Sequence, residues 1–187
     1  MPSFLSDYRK FRKQLASSSD AFSFGKFHPC IEDHSQDSGT ATGHYFHQDL
    51  LVAAKIFKNQ PLKHVDVGSR VDGFIAHVAA FREIEVLDIR GFSTKIHNIV
   101  SKRVDMMDPQ MDLSDYCDSI SCLHALEHFG LGRYGDRIDS QAHLKGWQNI
   151  FKLLKQNGKF YFSVPIGRQR IEFNAHRVFA LEYLLEM

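Results

Sequence analysis

Hydrophobic positions along the chain follow two different periods, and this alternation predicts an α/β fold. Apolar residues at helical spacing predict helices over residues 1–15 and 48–58. From Lys63 onward, short β-rich runs alternate with further helical patterns. The predicted strands are 64–67, 84–89, 96–104, 119–123 and 160–164, and the predicted helices are 71–81, 144–154 and 178–185. Such alternation predicts a Rossmann-like fold, an open and mostly parallel sheet with helices on both faces.

The pattern also predicts how the chain is organised. Residues 1–60 hold the two N-terminal helices and a loop over 16–44, and residues 61–187 form the predicted Rossmann-like domain. A loop of this length in a compact domain is usually functional or disordered. We therefore predict that the N-terminal part forms a lid, with the rings at positions 45–47 closing over a ligand. The alternative is that these rings are ordinary core aromatics.

Two local features bear on the element boundaries. Only about eight residues separate Ile89 from a strand that starts near Asn98, whereas a parallel crossover normally needs a dozen or more. Either the crossover is a minimal turn, or the third strand is shorter and later than its pattern indicates. Asn157 and Gly158 follow the helix predicted over 144–154, and this pair is typical of a helix C-cap.

Composition narrows the class of protein. The 187 residues, 43 % of them hydrophobic, suffice for a domain with a buried core, and a net charge of +1 for the whole chain excludes a strong non-specific attraction to nucleic acid or to an anionic membrane. No apolar run is long enough for an integral membrane segment, and the charged N-terminus lacks the apolar block of a signal peptide. The three cysteines form no C-x-x-C pair. We expect a cytoplasmic protein. Helix 1–15 is basic and amphipathic, and is expected to dock on its own domain; the alternative is a membrane surface.

Glycine and acidic residues follow the first two predicted strands, at the edge where open α/β sheets bind ligands. Gly68 and Gly73 allow a ligand to approach the backbone closely. Asp88 ends the second strand, twenty residues after Gly68, where an acidic residue accepts hydrogen bonds from both hydroxyls of a ribose. Arg70 stands where a G-x-G-x-x-G turn would have its second glycine. The pattern therefore favours a nucleoside ligand without a pyrophosphate and disfavours a nucleotide-dependent oxidoreductase.

Five motifs, in this order, resemble those of the class I S-adenosylmethionine-dependent methyltransferases. They are Val65–Gly68 (first motif), Val86–Ile89 (ribose), Asp105-Met106 (adenine), Tyr116–His128 with its Leu-Glu-His ending (fourth strand) and Trp147–Phe160 (before the fifth strand). Residues 66–74 and 165–177 show a closer resemblance to an uncharacterised methyltransferase-like family of nematodes and bacteria. Some bacterial members lie among genes for surface polysaccharides, which suggests a sugar substrate.

The resemblance implies a cofactor, a reaction and a set of site residues. The cofactor is S-adenosylmethionine, and the residues expected to hold it are Asp66, Gly68, Ser69, Arg70, Gly73, Asp88, Ile89, Asp105, Met106 and His124. The implied reaction is methylation of a small molecule, a sugar or polysaccharide precursor, at a hydroxyl. A hydroxyl acceptor is helped by a general base, for which His128 and His176 are candidates, with Glu127 orienting a histidine. His124 is expected to lie too close to the cofactor for this role.

The sequence departs from the methyltransferase pattern in two places. Arg70 replaces a glycine of the first motif, and the chain stops at Met187, so the sixth and seventh strands of the family fold are expected to be missing. A sheet edge left open in this way would allow two copies to form a homodimer. Both departures favour an alternative function, that of a catalytically inactive methyltransferase-like binding or scaffold domain. Retention of Asp66, Gly68 and Asp88 favours the enzyme.

Three further patterns have competing interpretations. Residues 124–128 spell H-x-x-E-H, a zinc-protease pattern, but the resemblance already accounts for Glu127 and His128, and no metal is predicted. Residues 130–135 spell G-x-G-x-x-G, but no helix formers follow, so we predict a loop rather than a phosphate cradle. The polar stretch 168–177 is either a solvated loop or a wall whose arginines bind a phosphate or carboxylate of the substrate.

Overall fold

The structure is a computed structural model, and it describes residues 2–19, 22–39 and 41–187 of the chain. The chain forms two compact units, Met1–Thr42 and Gly43–Met187. Within the predicted loop over 16–44, residues 20, 21 and 40 lie outside the described residues, as does residue 1 of the first predicted helix.

In the first unit, the described residues form the α-helix α1 (Pro2–Ala16) and the 3-10 turn Asp33–Ser35. The helix forms where apolar residues recur at helical spacing, and aromatic rings of the following segment contact its apolar side. Phe24 and Phe27 both lie with their rings against Tyr8, at centroid distances of 5.3 and 5.7 Å. Aromatic contacts therefore hold the small unit together.

A five-stranded parallel sheet forms the centre of the second unit. Its strands are β1 (His64–Val67), β2 (Ile84–Asp88), β3 (Ile99–Arg103), β4 (Cys117–Leu123) and β5 (Leu154–Ser163). They lie in the order β3-β2-β1-β4-β5, and every neighbouring pair is parallel. The strand order reverses between β1 and β4, which is the switch point of a doubly wound sheet. The predicted Rossmann-like fold class is confirmed.

Helices cover both faces of this sheet, as predicted. On one face, α2 (His44–Asn59) and α3 (Ala76–Ala79) pack on β2, with Ile56, Val78 and Val86 in one apolar cluster. On the other face, α4 (Ala142–Leu153) places Ile150 against Leu87 and other strand residues, and α5 (Leu181–Glu186) borders the same cluster. None of the described helices is long and apolar enough to cross a membrane.

The connection from β2 to β3 contains no helix. It consists of residues 89–98, and β3 begins only at Ile99, so the strand is shorter and later than 96–104 and the crossover is a loop. Asn98 ends the loop in a left-handed conformation, with φ of 61°, and its side-chain amide donates to the carbonyl of Ala79 at 2.8 Å. The sequence left open a minimal crossover or a shorter and later third strand, and the structure shows both.

Two predicted boundaries near the C-terminus are wrong. Helix α4 ends at Leu153 and β5 begins at the next residue, so Asn157 and Gly158 lie within β5 and do not cap the helix. The register of β5 on β4 shifts in this region, and Asn157 has a φ of 64°, because a bulge must absorb the extra residues. Farther on, Val178 ends a strand. The stretch 168–177, left open as a solvated loop or a substrate-contacting wall, contains most of an antiparallel hairpin of β6 (Arg170–Glu172) and β7 (His176–Val178).

Candidate functional site

A cavity of about 1370 Å³ lies at the carboxyl ends of the five parallel strands. This is the edge at which open α/β sheets bind ligands, and it includes the switch point between β1 and β4. The predicted site residues that line it are Gly68, Ser69, Arg70, Gly73, Asp88, Ile89, Asp105, Met106, His124, Glu127, His128 and His176. The fold thus brings together the ends of strands that are far apart in sequence.

Asp66 is the one predicted site residue that does not line the cavity. Its carboxylate is fully buried and accepts hydrogen bonds from the backbone N–H and the hydroxyl of Ser69, both at 2.9 Å, and from the hydroxyl of Ser121. Burial raises the pKa of Asp66 to about 6, against hydrogen bonds that lower it. Asp66 therefore shapes the turn at Gly68 from below and reaches the cavity only through Ser69.

A buried histidine extends this polar network beneath the sheet edge. His64 Nδ1 lies 2.8 Å from Ser119 Oγ, and its Nε2 lies 3.2 Å from Ser121 Oγ, the hydroxyl that also contacts Asp66. Burial lowers the pKa of His64 to about 3, so the ring is neutral at physiological pH. This network was not among the sequence-based predictions, although polar residues alternating through a buried strand were a signal for it.

The helical segment after β1 has an irregular start. Val71–Ile75 forms a π-helical turn before α3, and within it Gly73 has non-helical angles, φ −124° and ψ −118°. A Cβ atom at Gly73 would lie 3.2 Å from Asp49 Oδ2 of α2. Arg70, which replaces the glycine of the first motif, donates to the exposed carboxylate of Asp72 at 2.6 Å. This turn thus lines the cavity with backbone and with a paired arginine.

The carboxylate of Asp88, expected to hold a ribose, is engaged by Arg90. Arg90 Nε and Nη2 donate to its two oxygens at 2.9 and 2.8 Å, and the Arg90 backbone N–H donates at 2.7 Å. Burial raises the pKa of Asp88, but these hydrogen bonds outweigh it and hold the pKa below its usual value. The Arg90 guanidinium also lies 4.3 Å from the ring centroid of Tyr134. A ligand hydroxyl at Asp88 must therefore compete with Arg90.

The end of β3 forms the next part of the wall. Asp105 accepts the backbone N–H of Met107 at 2.9 Å, and Arg137 approaches its other oxygen at 4.0 Å. The Met106 side chain is almost fully buried, and the amide of Asn149 in α4 donates to the Met106 carbonyl at 2.9 Å. The hydrogen bond from α4 therefore positions this part of the wall, which combines the Asp105 carboxylate with the apolar surface of Met106.

The first turns of α2 also line the cavity, with His44, Tyr45, Gln48 and Asp49. The Tyr45 ring lies edge-on to the His124 ring, with 4.9 Å between centroids, and burial raises the pKa of the Tyr45 hydroxyl. Of the rings at 45–47, only Tyr45 is on the wall. The lid stays a prediction. Gln48 and Asp49 were not predicted as site residues. Helical periodicity shows which face of a helix is apolar, but it does not show which polar side chains line a ligand cavity.

Glu127 joins two of the histidines at the end of β4. Its Oε1 lies 3.1 Å from His124 Nδ1 and 3.9 Å from His128 Nε2, and the residue is 1 % exposed. Within the described part of the chain, Glu127 Oε2 has no hydrogen-bond partner. No group of three or more His, Cys, Asp or Glu side chains among the described residues is arranged to hold a metal ion. Glu127 Oε2 is thus a buried acceptor for which no described residue supplies a donor.

The two candidate bases differ in their environment. His128 Nδ1 lies 2.6 Å from the carbonyl oxygen of Ala175. Because a carbonyl only accepts, Nδ1 carries the proton and Nε2 is the basic nitrogen. Burial lowers the pKa of His128, and Glu127 opposes this shift. His176 also lines the cavity, but its Nε2 lies 3.3 Å from the carboxylate of Glu172, a residue that is not part of the cavity wall. His128 is therefore the better placed base.

The glycine-rich segment after Glu127 is a loop, as predicted. The backbone N–H groups of Gly132 and Tyr134 donate to the carboxylate of Asp136 at 3.0 and 3.1 Å, so an internal carboxylate takes the place that a phosphate would need. Arg133 and Tyr134 also line the cavity, and neither was a predicted site residue. The sequence did contain a signal for these two residues, since a basic and an aromatic side chain follow the carboxyl end of β4.

Residues 168–177 had two interpretations, a solvated loop or an arginine wall, and the arginine wall does not form. Arg170 pairs with Glu172 at 2.9 Å. Arg177 is buried and donates to the carbonyls of Phe129 and Ser140, so it ties the glycine-rich loop to β7. Among the charged residues of this stretch, His176 alone lines the cavity. Arg170 and Arg177 stabilise the hairpin and its surroundings, because a neighbouring carboxylate and backbone carbonyls accept from their guanidinium groups.

Several solved structures are similar to the chain in fold. They are the [4+2]-cyclase SpnF (18 % identity, 74 % of this chain and 55 % of that one, TM-score 0.48), PigF with SAH (14 %, 72 % and 52 %, 0.45) and an S-adenosylmethionine-dependent methyltransferase from Clostridium acetobutylicum (14 %, 64 % and 50 %, 0.41). The chain thus spans about half the length of these proteins. No curated protein matches the sequence significantly.

The sequence itself matches a protein-family model. The family is described as Caenorhabditis protein of unknown function, DUF268, and the match covers residues 63–185. It includes the Rossmann-like sheet and nearly all of the cavity wall. The predicted resemblance to an uncharacterised nematode family is confirmed, and the chain belongs to the DUF268 family.

Proposed function

We propose that the chain binds S-adenosylmethionine and transfers its methyl group to a hydroxyl of a small molecule, a sugar or polysaccharide precursor. The observation that carries the proposal is one cavity lined by a carboxylate at the end of β2, Asp88, and by a basic imidazole nitrogen, His128 Nε2. The first suits the two hydroxyls of a ribose, and the second suits the proton of an acceptor hydroxyl.

The wall residues divide into two groups by chemistry. The turn at Gly68, the carboxylates of Asp88 and Asp105 and the apolar edge at Met106 would hold a nucleoside. When bound, the cofactor supplies a methyl group activated by its sulfonium. The chain's own contribution is to position the two reactants and to exclude water.

The acceptor end has what a hydroxyl nucleophile needs. His128 Nε2 takes the proton as the acceptor oxygen forms its bond to carbon, while the Ala175 carbonyl holds the ring in the required tautomer. Glu127 would stabilise the charged His128 through Oε1, which lies 3.9 Å from His128 Nε2. Tyr45 and Tyr134 provide aromatic surface on which a sugar ring packs.

Replacing Asp88 with alanine is expected to weaken S-adenosylmethionine binding by at least about tenfold. The loss of a charge-assisted pair of hydrogen bonds to a ribose corresponds to about 1.4 kcal/mol or more. Calorimetric titration of the pure protein measures the change, and NADH titrated in parallel tests the oxidoreductase alternative. Asp112→Ala is the matched control, since Asp112 is an exposed carboxylate that does not line the cavity and its loss should leave the affinity unchanged. Equal affinity of Asp88→Ala and the wild type would contradict the proposed ribose site.

Replacing Arg90 with methionine is expected to tighten the same binding, by up to about fivefold, the value of a partly exposed ion pair. The substitution frees the Asp88 carboxylate, which Arg90 engages through two side-chain hydrogen bonds. Arg168→Met is the control, because Arg168 is an exposed arginine that does not line the cavity. Weaker binding by Arg90→Met would mean that Arg90 itself contacts the cofactor.

A second candidate function is a catalytically inactive methyltransferase-like binding or scaffold domain. The observation that favours it is the closed pair of Asp88 and Arg90, together with Arg70 in place of a motif glycine. A folded sample that binds neither nucleoside, in the wild type or in Arg90→Met, would establish this alternative. A cytoplasmic location, the lid and a homodimer formed through the free edge of β5 stay predictions.

A further inference from the structure

Helix α1 of the first unit has two distinct faces. Its apolar residues Phe4, Tyr8, Phe11 and Leu15 recur every three or four positions and so share one face. Its four basic residues, Arg9, Lys10, Arg12 and Lys13, lie outside that face. Asp7 is the sole acidic residue of the helix sequence. The helix is therefore cationic on one side and aromatic on the other.

Rings from the following segment enlarge the aromatic side. The Phe24 ring lies 5.3 Å from Tyr8 and 6.1 Å from Phe11, and the Phe27 ring lies 5.5 Å from Phe4 and 5.7 Å from Tyr8. All four contacts have an edge-to-face geometry. These five rings form one continuous surface, called the aromatic patch below.

The aromatic patch remains open to solvent although its rings touch one another. Phe11 is 56 % exposed, Phe24 48 % and Phe27 62 %, and the neighbouring Phe22 is 81 % exposed. Single exposed apolar residues are ordinary, but contiguous aromatic surface beside charged residues marks an interaction site. The fold of the unit leaves this surface without a partner among the described residues of 1–42.

We propose that the first unit docks on a membrane surface that carries anionic phospholipids. The charge decides the partner: four cations beside an apolar surface match phosphate headgroups above an acyl layer. The aromatic patch would sit at the boundary between headgroups and acyl chains, and the basic side chains would reach the phosphates. This inference concerns another part of the chain than the cavity and does not depend on methyl transfer.

The test is co-sedimentation of the full chain with vesicles. We expect binding to vesicles of phosphatidylcholine mixed with phosphatidylserine, little binding to phosphatidylcholine alone, and release in high salt, because salt screens exposed charges. Lys10→Glu/Lys13→Glu should weaken binding at least tenfold. The matched control is Lys155→Glu/Lys159→Glu, the same charge change at two exposed lysines of the second unit, which should bind as the wild type does.

A second pair of variants tests the aromatic patch. Phe24→Ser/Phe27→Ser should weaken vesicle binding, whereas Phe173→Ser, at a 70 % exposed ring of the second unit, should not. Circular dichroism checks that each variant keeps its helices. No binding to the anionic vesicles, equal binding to neutral ones, or equal losses in both charge variants would overturn the proposal. So would an equal affinity for single-stranded RNA, which would indicate a general polyanion site.

Discussion

Replacing His128 with glutamine is expected to slow methyl transfer to a hydroxylated acceptor by about 10²–10⁴-fold, the usual contribution of a general base. The Nδ1 hydrogen bond to Ala175 leaves Nε2 of His128 as the nitrogen that takes the proton. Glutamine keeps polar atoms at this place but cannot hold a proton at neutral pH. S-adenosylmethionine binding, measured by calorimetry, should change less than about twofold, because the base serves the acceptor.

The same variant has a signature in the pH dependence of the rate. Burial lowers the pKa of His128 below its ordinary value of 6.5. The base is active when unprotonated, so the wild-type rate should rise with pH through a pKa below 6.5 and stay level above it. In His128→Gln this acidic limb should disappear. A limb that persists unchanged in the variant would assign the base to another group.

His176→Gln is the matched control for this prediction. His176 also lines the cavity, but its Nε2 lies 3.3 Å from the exposed carboxylate of Glu172. Its replacement should lower the rate less than tenfold, as expected of a group that borders the acceptor without taking its proton. A larger loss in His176→Gln than in His128→Gln would reverse the assignment of the two histidines.

Replacing Gly130 with alanine is expected to lower the free energy of unfolding by about 3 kcal/mol, the combined cost of a left-handed alanine and an overpacked site. Gly130 has a φ of 74°. A Cβ atom there would lie 2.1 Å from the carbonyl oxygen of Asp139 and 2.4 Å from Ala142 Cβ at the start of α4. Backbone cannot move aside as a flexible side chain can. Urea denaturation measures the loss.

Gly135→Ala separates the two costs. Gly135 has a similar φ of 82° in the same loop, but nothing lies within 4 Å of the position that its Cβ would take. This variant should therefore lose only about 1 kcal/mol, the cost of the left-handed backbone. Equal losses in the two variants would show that the loop relaxes around Gly130 and that the close approach to α4 is unimportant for stability.

The local pattern of apolar and polar residues was enough to predict the carboxyl ends of the strands, and with them the edge at which the cavity lies. β1 and β2 lie within a residue of their predicted bounds, because their apolar runs end at polar or glycine residues. Since the carboxyl ends of parallel strands meet at one edge, Gly68, Asp88 and His124 had to lie near one another once the sheet was parallel. This reasoning uses only period and chain order, which are properties of the sequence.

Side-chain partners could not be found in this way, because they depend on contacts between distant segments. Arg90 is two residues from Asp88, yet only the folded loop shows that it covers the carboxylate expected to hold a ribose. Arg177 belongs to a stretch that the sequence left open as a solvated loop or a substrate-contacting wall, and the structure buries it against the carbonyls of another loop. Neither the contact of Arg90 with Asp88 nor the burial of Arg177 can be predicted from the length or composition of the loops.

Because hydrophobic period and turn residues act locally, the sequence alone was sufficient to predict the parallel sheet, the edge at which the cavity lies and twelve of the residues on its wall. Tertiary structure alone decided which of those groups are free to act. It buried Asp66 beneath the turn, placed α2 with Tyr45 against His124, and oriented His128 through the carbonyl of Ala175. Each of these outcomes depends on hydrogen bonds or packing between segments that no local pattern connects.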